Sequence, residues 1–232
     1  MIMFYSGTPG SGKSLHVASD ILRYIKGGKN VIANFEVNED LFRQKRGKSR
    51  GRFVYLSNWN LMNKVRVVDR TCSKVKLISP IDALYGFALN FHSRNAKGQI
   101  IEDQTLLVLD EAQLLFNSRT WQDSNRMEWG DFFTQHRKYG YEVIIISQME
   151  RLIDRQIRGL FELEVNHKKI MHYKMIGALL SMPFRGKLFL AVTHWRGVSG
   201  KDGVVGSQWF VGNKKLYSLY DSYKIFERIT GD

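Results

Sequence analysis

The sequence predicts an α/β fold built on a parallel sheet, and three observations carry that prediction. Short apolar runs alternate with segments of helical periodicity from the first residue to about residue 160. The runs Ile2–Tyr5, Asn30–Phe35, Thr105–Leu109 and Glu142–Ile146 are not strictly alternating, so they fit strands covered on both faces. The first run leads at once into a glycine-rich turn that opens a helix.

The remaining elements follow in order. After Ser14, Leu15, Ala18, Ile21, Leu22 and Ile25 recur at helical spacing, and Gly27-Gly28 closes the helix. Residues 43–52, Arg-Gln-Lys-Arg-Gly-Lys-Ser-Arg-Gly-Arg, read as an exposed basic loop. Phe53–Leu56 and Val65–Val68 are expected to be short strands. Ser79 before Pro80 is a helix start, with Asp82 at the capping-box position. Ile81, Leu84, Tyr85, Ala88 and Phe91 supply its apolar stripe. Ser124 to Tyr139 reads as a helix closed by Gly140, and 149–160 as a shorter helix. Beyond that come short alternating runs: Phe161–Val165, Ile170–Lys174, Leu188–Val192 and Gln208–Val211. Met175 to Val192 reads as two strands or short elements around a turn. The expected organisation is a core over 1–160 with a basic insertion at about 43–76. A small β-rich C-terminal addition, 161–232, either extends the sheet or forms a subdomain.

Composition bounds the function. The 232 residues are 44% hydrophobic and 25% charged, an ordinary globular balance that excludes disorder as the main state. The single cysteine, Cys72, excludes an internal disulfide and points to a reducing compartment. Lys and Arg number 35 against 22 acids, a net charge of +13. Residues 43–76 hold eleven Lys/Arg and one acid, and residues 165–232 hold eleven Lys/Arg and four acids. These two segments own the whole excess. Such a field suits nucleic acid, an anionic membrane surface or an acidic protein; a solvated basic face is the blander alternative. No run of 18 apolar residues exists, and Met1–Tyr5 is too short for a signal-peptide core. A soluble, cytoplasmic chain is therefore expected.

Three strand ends carry chemistry. Gly7-Thr8-Pro9-Gly10-Ser11-Gly12-Lys13-Ser14 matches the P-loop pattern in full, between a strand and a helix as that motif requires. Its glycines let backbone N–H groups turn towards phosphate oxygens. Lys13 would reach the β- and γ-phosphates of ATP, and Ser14 would ligate Mg²⁺. Leu106-Leu107-Val108-Leu109-Asp110-Glu111 is a second strand ending in acids, at the edge where open α/β sheets bind ligands. Asp110 would hold the magnesium and Glu111 would act as general base on water. A hydrolytic base disfavours a small-molecule kinase. Ile144-Ile145-Ile146-Ser147-Gln148 is the third. Gln148 is a candidate sensor of the γ-phosphate, or a turn residue capping the next helix. His136-Arg137-Lys138 complements a helix C-terminus. Arg137, or Arg119, is also a candidate to reach a neighbouring subunit's γ-phosphate, with Arg151, Arg155 and Arg158 competing. His16, His167, His172 and His194 lack metal-ligand spacing, so no metal besides Mg²⁺ is expected.

Four stretches, in this order, resemble the zonular occludens toxin (Zot)-like ATPases, which include the gene I assembly proteins of filamentous phages. They are Tyr5 to Ser14, Leu109-Asp-Glu-Ala-Gln113, Gln135-His-Arg-Lys-Tyr-Gly140 and Ile146-Ser-Gln148. Asp154, Ile157-Arg158 and the tail Leu216-Tyr-Ser-Leu-Tyr-Asp-Ser-Tyr223 are similar too. The resemblance implies an additional-strand (FtsK/HerA-like) P-loop ATPase working as a homo-oligomeric ring. It also implies ATP-driven virion assembly and extrusion on the cytoplasmic side of the host inner membrane. The implied partners are phage coat protein or a complex of single-stranded DNA and protein, with direct DNA contact through 43–76 as a further option. Many such proteins continue into a transmembrane helix. The chain here ends just after the Tyr-Asp-Ser-Tyr tail, and two explanations are open: a chain cut before that anchor, which is the favoured expectation, or a naturally soluble relative. The toxin activity in the family name is expected to belong to a segment after the ATPase domain and has no support in these residues. Two other readings stay open: a DNA-packaging translocase or helicase-like motor, and a nucleotide-gated membrane-pore scaffold with slow hydrolysis.

Overall fold

Six strands run parallel and aim their carboxyl ends at one edge. They are β1 (Ile2–Ser6), β2 (Asn30–Ala33), β3 (Phe53–Tyr55), β6 (Thr105–Leu109), β7 (Tyr141–Ile146) and β8 (Leu163–Lys169). Antiparallel β9 (Leu188–Trp195) and β10 (Val204–Val211) complete the sheet, in the order β10-β9-β8-β1-β7-β6-β2-β3. A separate antiparallel pair joins β4 (Val65–Val68) to β5 (Val75–Ile78). The computed structural model describes residues 1–42, 51–68, 75–117, 123–198 and 201–220. The expectations for 43–50, Cys72, Arg119 and the last three residues of the tail lie outside those.

β7 lies between β1 and β6, so an extra strand separates the glycine-rich loop's strand from the acidic one, as an additional-strand arrangement requires. Register keeps the ends level: Tyr5 pairs with Ile146 and Leu109 with Ile145. The loop, Asp110 and Ser147 therefore emerge side by side.

Successive side chains point to opposite faces of a strand, and both faces here are buried. Leu107, Leu109, Val143 and Ile145 pack under α3 (Pro80–Phe91), α4 (Asp123–Gln135) and α5 (Arg155–Gly159), meeting Leu84, Phe132, Phe133 and Ile157. Leu106, Val108, Ile144 and Ile146 face α1 (Lys13–Lys26) and α7 (Lys214–Leu219) through Val17, Ile21, Ile25 and Leu219. This double cover is why the strands read as unbroken apolar runs. Ser79 caps α3 by accepting from the Asp82 N–H at 3.1 Å. A short α2 (Asn58–Met62) follows β3.

Some expectations need correction. Phe91 is half exposed, with the Arg52 guanidinium 5.0 Å over its ring, so the α3 stripe ends at Ala88. The second strand stops at Ala33, because Asn34 turns into the site described below. The segment 149–160 is not one helix: a 3₁₀ turn, Glu150–Leu152, and α5 are separated by Ile153, which bridges to Asn117. The helix from α4 tightens into a 3₁₀ turn over His136–Tyr139 before Gly140 closes it at φ +76°. Ile170–Lys174 is not a strand. A 3₁₀ turn there enters α6 (Lys174–Ser181), an eight-residue helix inserted between β8 and β9. Among the described residues no helix is long and apolar enough to cross a membrane.

Candidate nucleotide site

The loop between β1 and α1 is shaped by three left-handed glycines: Gly7 at φ +138°, Gly10 at +72° and Gly12 at +98°. A Cβ on Gly7 would lie 2.6 Å from the His167 carbonyl oxygen and 2.7 Å from Ser11 Oγ. Only glycine lets the loop press this closely against β8. Gly10 has nothing within 4 Å of its Cβ position, so that side is open, and Thr8 and Pro9 beside it are exposed.

Gly12 caps α1 without a side chain, and the first turn holds no acid. Its first N–H groups have no partner within the helix and carry the positive end of the helix dipole. Ser11 Oγ is buried with no hydrogen-bond partner among the described residues. Lys13 Nζ folds over the loop and donates to the Gly7 and Thr8 carbonyls at 2.7 and 3.2 Å. Burial pulls the Lys13 pKa down, and the nearby Asp110 and Glu111 push it up. Uncapped N–H groups, an orphaned hydroxyl and a buried ammonium fit a polyphosphate.

The acidic strand end closes the other side. Asp110 is buried, and Asn34 clamps its backbone. Asn34 Nδ2 donates to the Asp110 carbonyl at 2.8 Å, and the Asp110 N–H donates to Asn34 Oδ1 at 2.7 Å. Its carboxylate accepts from the Tyr220 hydroxyl at 2.6 Å and from the Glu111 N–H at 2.8 Å. Burial pushes the Asp110 pKa up; the Tyr220 bond, the Glu111 N–H and Lys13 act against it. Asp110 and the half-buried Ser14 offer hard oxygen donors, the chemistry magnesium prefers.

Glu111 sits at φ +47°, a left-handed conformation that a non-glycine residue adopts at a cost. Gln113 Nε2 donates to its Oε2, and Gln148 Nε2 donates to its Oε1 at 3.2 Å. Ser147 Oγ in turn donates to Gln113 Oε1 at 2.6 Å. The ends of β6 and β7 are thus joined through Glu111. Gln148 does not cap the next turn, whose cap position is Met149.

Arg137 stands apart. It pairs with Glu162, which also accepts from the Ile2 N–H, so it lies at the amino edge, opposite the loop of its own chain. Arg151 and Arg155 are exposed in the segment after β7. Among the described residues no group of three His, Cys, Asp or Glu side chains could hold a metal ion.

Several residues at the site carry no motif. His167 Nδ1 meets the Ser6 carbonyl at 3.2 Å, and its Nε2 lies 2.9 Å from His16 Nδ1. With His167 neutral and donating from Nδ1 to Ser6, its Nε2 accepts from the His16 Nδ1–H. Burial pulls His16 down, and burial with the neighbouring His16 takes His167 down to about 3. Asn34, His16, His167 and the role of Tyr220 escaped sequence reasoning. A polar residue one step beyond a buried strand at the carboxyl edge was the available signal for Asn34.

A family model described as zonular occludens toxin (Zot) matches residues 1–225. The "Gene 1 protein" of Salmonella phage IKe is 30% identical over 228 residues, covering 95% of this chain and 56% of that protein. The "Gene 1 protein" of Enterobacteria phage M13 is 27% identical over 231 residues, covering 97% and 60%. The chain thus spans little more than half the length of these relatives. Among solved structures, one ATPase domain superposes at a TM-score of 0.52 with 10% identity, covering 94% of this chain and 83% of that one. That likeness is one of fold.

Proposed function

The chain belongs to the zonular occludens toxin (Zot) family, and from that premise we propose that it is a Mg²⁺-dependent ATPase. Its hydrolysis drives assembly and extrusion of filamentous virions at the host inner membrane. One observation carries the ATPase reading: the loop Gly7–Ser14 and the acids Asp110 and Glu111 emerge level at one sheet edge, with Lys13 in the field of both acids.

In this reading the N–H groups of Gly7, Thr8, Gly10 and Gly12 and the Ser11 hydroxyl bind the phosphates, with Pro9 shaping the turn. Lys13 leaves the Gly7 and Thr8 carbonyls to meet the β- and γ-oxygens. Ser14 and Asp110 would hold Mg²⁺, which when bound neutralises charge on those oxygens. Glu111 takes a proton from the attacking water. It must first loosen one of its amide contacts, so Gln148 both positions the base and feels the γ-phosphate. Arg137 serves the neighbouring subunit of a ring. Residues 1–160 form the ATPase core, and 161–232 extend the same domain, a division supported by β8, β9 and β10 sharing its sheet.

ATP turnover should require Glu111. Glu111→Gln is expected to bind nucleotide and lose hydrolysis by about 100-fold or more. Turnover at the unmodified rate would remove the general-base assignment.

The charge favours a second reading in which DNA is the moved cargo. Stimulation of hydrolysis by single-stranded DNA, weakening steeply with salt, would support it. Stimulation by coat protein or a DNA-coating protein supports the first.

A further inference from the structure

α6 reverses the usual arrangement of an amphipathic helix. Its inward side carries small residues: Gly177 and Ser181 are buried. A Cβ on Gly177 would lie 2.2 Å from the Ile170 carbonyl oxygen, so the helix rests on the 3₁₀ turn before it with no room for a larger residue. Its outward side carries the large apolar ones. Met175 is 86% exposed, Ile176 75%, Leu179 68% and, in the turn just after, Met182 71%. Soluble helices turn such a face towards a core. A contiguous exposed apolar patch marks an interaction surface.

The surroundings decide what covers it. Between Glu164 and Asp202 the chain has seven Lys or Arg and no acid. Lys168, Arg185 and Lys187 are exposed where the excursion leaves and rejoins the sheet. Tyr173 and Phe184, about half exposed, stand at its margins. Eight residues span about 12 Å, too short to cross a bilayer and suited to lying in its interface. An apolar face flanked along the chain by cations and aromatics is the composition that inserts among anionic headgroups. A protein partner would have to supply every acid itself.

We infer that the α6 excursion, residues 170–187, is an interfacial lipid-binding element that seats the domain on an anionic bilayer surface. It deepens the membrane placement proposed above but rests on α6 alone. The assay needs no nucleotide, so failure of the ATPase reading and failure of this one are distinguishable.

The test is flotation of the chain with vesicles of phosphatidylcholine, with and without phosphatidylglycerol, in the absence of ATP. Partition is expected to be about tenfold or more higher on the phosphatidylglycerol vesicles. Ile176→Asp with Leu179→Asp should cut that partition about tenfold or more while the melting temperature and ATP turnover stay unchanged, because both side chains stand in solvent. Lys168→Glu with Arg185→Glu, which keeps the apolar face, should remove only the preference for phosphatidylglycerol. Failure of the parent to float, or equal flotation of the Ile176/Leu179 variant, would overturn the proposal. So would a lipid-free oligomer of the parent that the same variant dissolves, since the face would then belong to a second copy of the chain.

Discussion

The carboxyl edge of the sheet and the α6 excursion leave side chains reachable in opposite ways. At the edge, polar groups are tied to one another: Asn34 and Tyr220 to Asp110, Gln113 and Gln148 to Glu111. A ligand there must exchange existing bonds for its own. On α6, large apolar groups stand in solvent, while the buried positions among its described residues, Gly177 and Ser181, are small. The first region is organised before its ligand comes, which keeps the ordering cost of binding low. The second gains only when a surface removes it from water.

The sharpest way to break this comparison is at Lys13. Lys13→Ala removes the buried ammonium and should lower ATP turnover by about 100-fold or more, the range seen when one preorganised donor is lost. A steady-state rate near the parent's would mean the edge is not organised for phosphate. Asn34 comes next. Asn34→Ala leaves the Asp110 N–H and carbonyl without their clamp in a buried place, which should cost about 1–3 kcal/mol in a urea titration. An unchanged midpoint would show that the edge is looser than its hydrogen bonds suggest.

A third effect sits beneath the loop and depends on pH. His167 stays neutral in the folded chain, with a pKa of about 3, while the unfolded value is near 6.5. A base whose folded pKa is lowered contributes stability that is complete above the unfolded value. That stability is lost as pH falls from about 6.5 towards 3, because the unfolded chain takes up the proton first. His167 should therefore steepen the acid side of the stability profile by about 1.4 kcal/mol per pH unit. Urea midpoints of His167→Gln between pH 6 and 4 should show that slope reduced. An identical slope would mean that the ring is protonated in the folded state.

How far each region was legible in the sequence follows from the same contrast. The loop and the strand ends are local: Gly7–Ser14 and Leu106–Glu111 each state their conformation and chemistry within eight residues. Buried parallel strands announce themselves because both their faces are apolar. What was hidden depends on chain segments meeting. Tyr220 reaches Asp110 from 110 residues away, and His16 meets His167 across 151. α6 misled for another reason. Its apolar residues point outward, so their pattern does not report a core; Pro183 with Gly186 marked the turn, but whether strands or other short elements flank it stayed open. Phe91 misled likewise, as an apolar residue at helical spacing that is covered by an arginine and not by the core.

The last prediction tests whether α6 is as idle in the free chain as its exposure implies. Leu179→Ser removes an isobutyl group that is 68% exposed, so stability should change by less than about 0.5 kcal/mol. Two residues earlier, Gly177→Ala adds one methyl group on the inward side, where the Ile170 carbonyl already occupies the space. It should cost about 1–3 kcal/mol as the helix is forced off its turn. The smaller chemical change would then have the larger effect. Were Leu179→Ser to destabilise as much as Gly177→Ala, its side chain would already be packed in the isolated chain. The outward face would then be part of the fold, with nothing left over for a surface to cover.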